Sequence, residues 1–193
     1  LQHRLRFALE DYRAHTGRYD RIVSVGMFEH VGVGHFTTYF RRLRDLLADE
    51  GIALVHTIGR AGPPAVTNPF IARHIFPGGY IPALSEMQAA IERSGLMTTD
   101  VEVLRLHYAE TLKAWRERFI AHWLEAREAT SEEFCRMWEF YLAGSEAAFR
   151  FQQLVVFQVQ LAKRVDALPI TRDYIGEDER RMLSDEERPR LAG

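Results

Sequence analysis

Lysine and cysteine are almost missing from this 193-residue chain, which has two lysines, Lys113 and Lys163, and one cysteine, Cys135. A single cysteine excludes an internal disulfide and fits a reducing compartment such as the cytoplasm. Charge of either sign in excess is also lacking: the formal net charge is −2, so no broad basic field argues for nucleic acid. No apolar run reaches the roughly 18–20 residues needed to span a bilayer. HExxH and paired-cysteine spacings are absent. Glu29, His30, His35 and His56 therefore do not read as a metal set. What remains is the composition of an ordinary globular protein, at a length that suits one domain and buries about 70% of its unfolded surface.

The pattern of apolar residues alternates strand and helix. Arg4 to Leu9 reads as a short strand, and Asp11-Tyr12 as the turn after it. Asp20 to Val25 is β-branched and apolar, as a buried parallel strand should be. Phe36, Tyr39, Phe40, Leu43, Leu46 and Leu47 recur with helical period, and Gly51 to Ile58 reads as another strand. Pro63, Pro64 and Pro69 mark a loop. A helix follows from Ser85 to Ser94, closed by Gly95. Thr98 to Leu106 reads as a strand, Ala109 to Ala126 and Ser131 to Phe149 as helices, and Phe151 to Val165 as a last strand. This alternation implies a parallel, doubly wound α/β sheet. The two helices before the last strand are an insertion of the kind that builds a lid over a substrate. Residues 1–166 would form the domain. Residues 167–193 are charged and poor in apolar side chains, which predicts a mobile tail.

The most informative segment is Tyr19-Asp20-Arg21-Ile22-Val23-Ser24-Val25-Gly26-Met27-Phe28-Glu29-His30-Val31-Gly32. An apolar strand runs into a glycine and then delivers a carboxylate and an imidazole. In open α/β sheets, ligands bind outside the carboxyl ends of the strands, which is where Glu29 and His30 fall. From the residues alone, Glu29 could equally cap the next turn, and His56 could be a hydrogen-bonded structural histidine.

Six ordered blocks carry more. They are Glu10-Asp11-Tyr12-Arg13, the segment from Asp20 to Gly32, His56-Thr57-Ile58-Gly59, Ile75-Phe76-Pro77-Gly78-Gly79, His107-Tyr108-Ala109-Glu110-Thr111-Leu112, and Tyr141-Leu142-Ala143-Gly144-Ser145. Together they resemble the cyclopropane-fatty-acyl-phospholipid synthases and the mycolic acid cyclopropane synthases, over about Arg6 to Arg164. The resemblance implies the C-terminal part of a Rossmann-like S-adenosylmethionine-dependent methyltransferase fold, with a helical insertion before the last strand. Such folds carry a glycine-rich turn after their first strand, and no such turn precedes Arg4. Gly32-Val33-Gly34 lacks the strand-turn-helix context to replace it. The expectation is therefore a fragment that is inactive by itself.

The resembled reaction adds the S-adenosylmethionine methyl group to a cis double bond of an acyl chain, and a base then removes a proton so that a ring closes. In that family the base is a bicarbonate. The resemblance places the bicarbonate and catalytic set on Glu29, His56 and Tyr108, with a backbone contact at Ile58. It places the cofactor near Asp11, Tyr12, Arg13 and Val25, and Phe28 and Ser145 along the substrate channel. Many relatives have cysteine where this chain has Ser145, which bears on product choice. The implied partners are unsaturated phospholipid acyl chains at the cytoplasmic face of a membrane, to which the protein would be peripheral; a homodimer stays open. The competing readings are a fatty-acid C-methyltransferase, an N-methyltransferase of a small amine, and a non-catalytic module.

Overall fold

The computed structural model describes residues 4–186. Four strands form one sheet: β1 (Tyr19–Val25), β2 (Leu47–Arg60), β3 (Met97–Leu104) and β4 (Leu154–Ala162), in spatial order β1-β2-β4-β3. Six α-helices accompany them: α1 (Phe36–Leu46), α2 (Leu84–Ser94), α3 (His107–Ala121), α4 (Trp123–Ala129), α5 (Glu132–Phe151) and α6 (Asp173–Glu186).

Residue alternation along β2 and β4 decides what each face of the sheet packs against. Ala53, Val55, Val155, Phe157, Val159 and Leu161 point to one face and are buried against Phe36, Phe40 and Leu43 of α1 and Met87, Ala90 and Ile91 of α2. Side chains two apart along a strand share a face, so Ile58 and Val156 point the other way. They meet a second apolar cluster built from Ala109 and Leu112 of α3 and Tyr141, Leu142 and Phe149 of α5. The outcome is a central sheet with α1 and α2 on one side and the α3–α5 insertion over one end of the other.

β1 and β2 are parallel, as expected, but β4 runs antiparallel to both β2 and β3. The sheet is therefore mixed rather than wholly parallel. The insertion explains the reversal. α3 leaves the end of β3, α5 packs back along it, and the chain returns to the end it left, with Val156 beside Leu104. A strand begun there can only run back alongside β3.

Two further expectations change. Arg4 to Leu9 is not a strand; Leu5, Phe7 and Leu9 are exposed, and the segment pairs with no strand among the described residues. An alternating apolar pattern forms a strand only where a neighbour satisfies its amides. For the same reason β1 is less buried than its composition suggests, with Val23 and Val25 about two-thirds exposed at 65% and 64%. At the other end, the charged segment expected as a mobile tail contains α6. Arg172 pairs with Asp100 of β3 at 2.5 Å, and the Tyr174 hydroxyl donates to Gln160 Oε1 of β4 at 3.0 Å. Residues 187–193 of that segment lie outside the described residues.

Candidate active site

β1 stops at Val25, opposite His56 of β2. Gly26 then takes φ +65°, a left-handed conformation that L side chains avoid, and its amide still donates to the His56 carbonyl at 3.0 Å. The chain leaves the sheet there through a short 3₁₀ turn, Phe28–His30. β2 runs on past this point without its parallel neighbour, which would leave the Ile58 amide unpaired. The Glu29 carboxylate takes the neighbour's place: Oε1 accepts from the Ile58 amide at 2.7 Å. The Glu29 carbonyl in turn accepts from the Tyr80 amide at 2.8 Å, so the backbone of the turn is held too.

This explains where the carboxylate sits but uses only half of it. Glu29 Oε2 is buried and has no hydrogen-bond partner. A buried carboxylate oxygen without a donor is costly, and its free lone pairs would suit a group that brings its own O–H.

Tyr108 opens α3 and reaches the same region. Its ring packs edge-on against Trp115 at 5.8 Å and Phe149 at 5.2 Å. Burial raises its phenol above the ordinary tyrosine value, and the negative charge of Glu29 adds to the effect. The phenol therefore stays protonated at neutral pH and is available as a donor. Tyr141, one helix away on α5, is raised for the same reason, with Tyr108 adding to the rise and the hydroxyl of Ser145 opposing it. Ser145 thus lies beside Tyr141, one helical turn on, in the cluster that includes Tyr108.

His56 is half-buried and lies on the same face of β2 as Ile58. Among the described residues, no hydrogen bond joins Glu29, His56 and Tyr108 to one another. The His56 ring instead engages Gln158 of β4, with Nδ1 3.3 Å from Oε1. Gln158 then donates from Nε2 to Glu102 Oε2 of β3 at 2.7 Å. Nothing in the local sequence singled out Gln158 or Glu102, because only the strand register brings them beside His56.

Other expected site residues are placed less simply. The Ile58 amide, expected to meet bicarbonate directly, is committed to Glu29. Phe28, expected along the substrate channel, is fully buried in the core beneath α1, stacked on Phe36 at 4.3 Å and near Tyr39 and Phe40. It belongs to the opposite face of the sheet from Ser145, because the turn after Gly26 directs consecutive side chains to different sides. Asp11 and Arg13 are exposed and form a fork-like pair, at 3.0 Å from Nε and 2.5 Å from Nη2, which lowers the Asp11 carboxyl to about 2. Tyr12 packs edge-on against Tyr39 at 5.7 Å. Tyr39, deeply buried beside Ser24, is pushed up to about 12. At the strand end, a β-carbon on Gly26 would meet nothing within 4 Å. Val25 beside it is exposed as well. No helix among the described residues is long and apolar enough to cross a membrane.

The blocks that build this site can be compared with known proteins. The sequence model described as mycolic acid cyclopropane synthetase matches residues 1–159. The chain belongs to this cyclopropane synthetase family. It is 40% identical over 158 residues to the cyclopropane-fatty-acyl-phospholipid synthase of Escherichia coli K12, a match covering 82% of this chain and 41% of that protein. It is also 40% identical over 174 residues to the tuberculostearic acid methyltransferase UfaA1 of Mycobacterium tuberculosis, covering 83% and 39%. Among solved structures, the mycolic acid cyclopropane synthase CmaA1 complexed with SAH and CTAB superimposes with a TM-score of 0.71 at 30% identity. That match covers 78% of this chain and 57% of CmaA1. The chain thus spans about two-fifths of the length of the first two relatives. The fold is the Rossmann-like methyltransferase fold of this synthetase family.

Proposed function

We propose that the chain carries the base-holding part of an S-adenosylmethionine-dependent enzyme that closes cyclopropane rings on cis double bonds of phospholipid acyl chains. The observation that carries this reading is the Glu29 carboxylate. One oxygen is fixed by the Ile58 amide and the other is buried without a partner, while the charge of the carboxylate acts on the Tyr108 phenol. A carboxylate that served only to cap β2 would have no need to keep its second oxygen dry.

The residues present fit a small oxyacid. Glu29 Oε2 can accept from its O–H, while the Tyr108 hydroxyl and a protonated His56 can donate to its remaining oxygens. Bound there, bicarbonate would supply a base of suitable strength for proton removal during ring closure. S-adenosylmethionine would supply the methyl group, held at the open side of Val25 and Gly26, with the Tyr12 region beyond it. CmaA1 with SAH supports S-adenosylmethionine as the methyl donor, since SAH is what S-adenosylmethionine becomes after giving up its methyl. Asp11 would meet the cofactor only by loosening its pairing with Arg13. The α3–α5 insertion shields the site with Trp115, Tyr141 and Phe149, and an apolar wall of this kind both receives an acyl chain and excludes water. The substrate would come from a membrane surface, to which the protein docks from the cytoplasmic side.

A second reading, fatty-acid C-methylation, has one specific support: the chain is as similar to a tuberculostearic acid methyltransferase as to the Escherichia coli synthase. The two outcomes differ in the fate of one proton. Depleting bicarbonate from the assay separates them from a purely structural Glu29. Ring formation should fall and should return when bicarbonate is restored, and Glu29→Gln should abolish that response. Ring formation indifferent to bicarbonate would remove the oxyacid from the reading.

A further inference from the structure

The register of the sheet sets four residues in one row across all four strands. Val25 of β1 lies opposite His56 of β2, His56 opposite Gln158 of β4, and Gln158 opposite Glu102 of β3. Neighbours in such a row project to the same face. One row toward the insertion, Ile58, Val156 and Leu104 are apolar and packed under α3 and α5. One row the other way, Leu54, Gln160 and Asp100 lead to α6 through Tyr174 and Arg172. The polar row lies between these two supports.

Its hydrogen bonds have a fixed direction. Glu102 is a carboxylate, which only accepts. Its partner must therefore be the amide nitrogen of Gln158, at 2.7 Å. That choice turns the Gln158 oxygen toward His56, where it lies 3.3 Å from Nδ1. A carbonyl oxygen only accepts, so Nδ1 must carry a proton. We propose that Gln158, itself oriented by Glu102, is a positioning residue that holds His56 in the form protonated at Nδ1. Nε2 is then the ring nitrogen left without this partner.

The consequence for the site follows from imidazole chemistry. With Nδ1–H committed to Gln158, neutral His56 offers a lone pair at Nε2, and protonated His56 offers an N–H there. The anionic Glu102 polarises the amide between them and makes its oxygen a better acceptor. In the protonated ring, Nε2–H is the group that donates to an oxyanion next to Glu29. The role at the base site rests on the proposed function, whereas the tautomer does not.

The test reads the tautomer itself. Nitrogen-15 spectra of the histidine side chains of this chain, with His56 assigned by His56→Gln, distinguish Nδ1–H from Nε2–H. The wild type should show Nδ1–H for neutral His56. Gln158→Leu should shift His56 to the Nε2–H form that free imidazole side chains prefer. Glu102→Gln combined with Gln158→Glu reverses the two groups while keeping one donor pair and one acceptor, and should restore Nδ1–H. An Nε2–H wild type, or an Nδ1–H form unmoved by Gln158→Leu in a variant whose amide spectrum stays dispersed, overturns the proposal. So does a double variant that folds but fails to restore Nδ1–H. In the active enzyme, Gln158→Leu should lower product formation about tenfold with little change in KM, by analogy with the outer partners of metal-bound histidines. A tautomer that moves while product formation does not upholds the Gln158 network and removes His56 from the base site, so the two claims fail separately.

Discussion

The Glu29 carboxylate takes the place that a parallel strand would occupy beside Ile58, 2.7 Å from its amide. One side chain thereby completes the sheet and keeps its second oxygen buried without a partner. Glu29→Gln tests both functions at once. The amide oxygen can still accept from Ile58, so the fold should hold, with a melting temperature within a few degrees of wild type. Ring formation should drop by about tenfold to a thousandfold, as for loss of a general base or a preorganised charge. Cofactor binding should change little.

Tyr108 should titrate late. Its phenol is raised by burial and by Glu29, so the folded state prefers the protonated form. That preference is fully present below the ordinary tyrosine value, about 10, and is lost as pH rises through the higher folded value. Ultraviolet titration of phenolate should therefore show a late fraction that Tyr108→Phe diminishes. Glu29→Gln should bring Tyr108 down toward its ordinary value. Tyr108 titrating with the exposed tyrosines would mean the two groups do not share one environment.

Gly59 is tied to packing rather than chemistry. A β-carbon there would meet the Phe157 ring at 2.2 Å. Because Phe157 is buried in the core, it has little room to move. Gly59→Ala should destabilise the chain by about 1–3 kcal/mol, the usual cost of overpacking, read as a lowered urea midpoint. An unchanged midpoint would mean that this core yields more freely than its burial implies.

Ser145 tests product choice. It lies beside Tyr141 in the cluster that includes Tyr108, and an unassisted hydroxyl is a poor base. Ser145→Cys should keep activity within about threefold, a change under about 0.7 kcal/mol in the barrier. Ser145→Leu should cost more by crowding the apolar wall. A shift from methylated to cyclopropanated lipid in Ser145→Cys would assign control of the product to this position.

How much of this was legible in the sequence depends on how local each feature is. Gly26, Glu29, His56 and Ile58 stand in short motifs at strand ends, so their neighbourhood could be read directly. Helix α1 followed from apolar period, and α2 ends at Gly95 as expected from its stop signal. The direction of β4 was not legible, because it depends on the two long insertion helices packing back on each other. Arg4 to Leu9 shows the limit of pattern: Leu5, Phe7 and Leu9 alternate as a strand should, yet a strand needs a neighbour. Gln158 and Glu102 are 56 residues apart and meet only through register. The turn of Phe28 into the core was hidden for a related reason, since one residue of turn geometry decides which side of the sheet a side chain meets.

The central claim is that this site closes rings on unsaturated lipid. The most direct measurement supplies S-adenosylmethionine labelled with carbon-13 in its methyl group, together with vesicles of cis-unsaturated phospholipid, to the enzyme. The extracted acyl chains are then examined by carbon and proton resonance. The account predicts the label in a cyclopropane methylene, with strongly shielded ring protons, and its loss in Glu29→Gln. Label found only in a methyl branch or an exocyclic methylene, or ring product undiminished in Glu29→Gln, would contradict it.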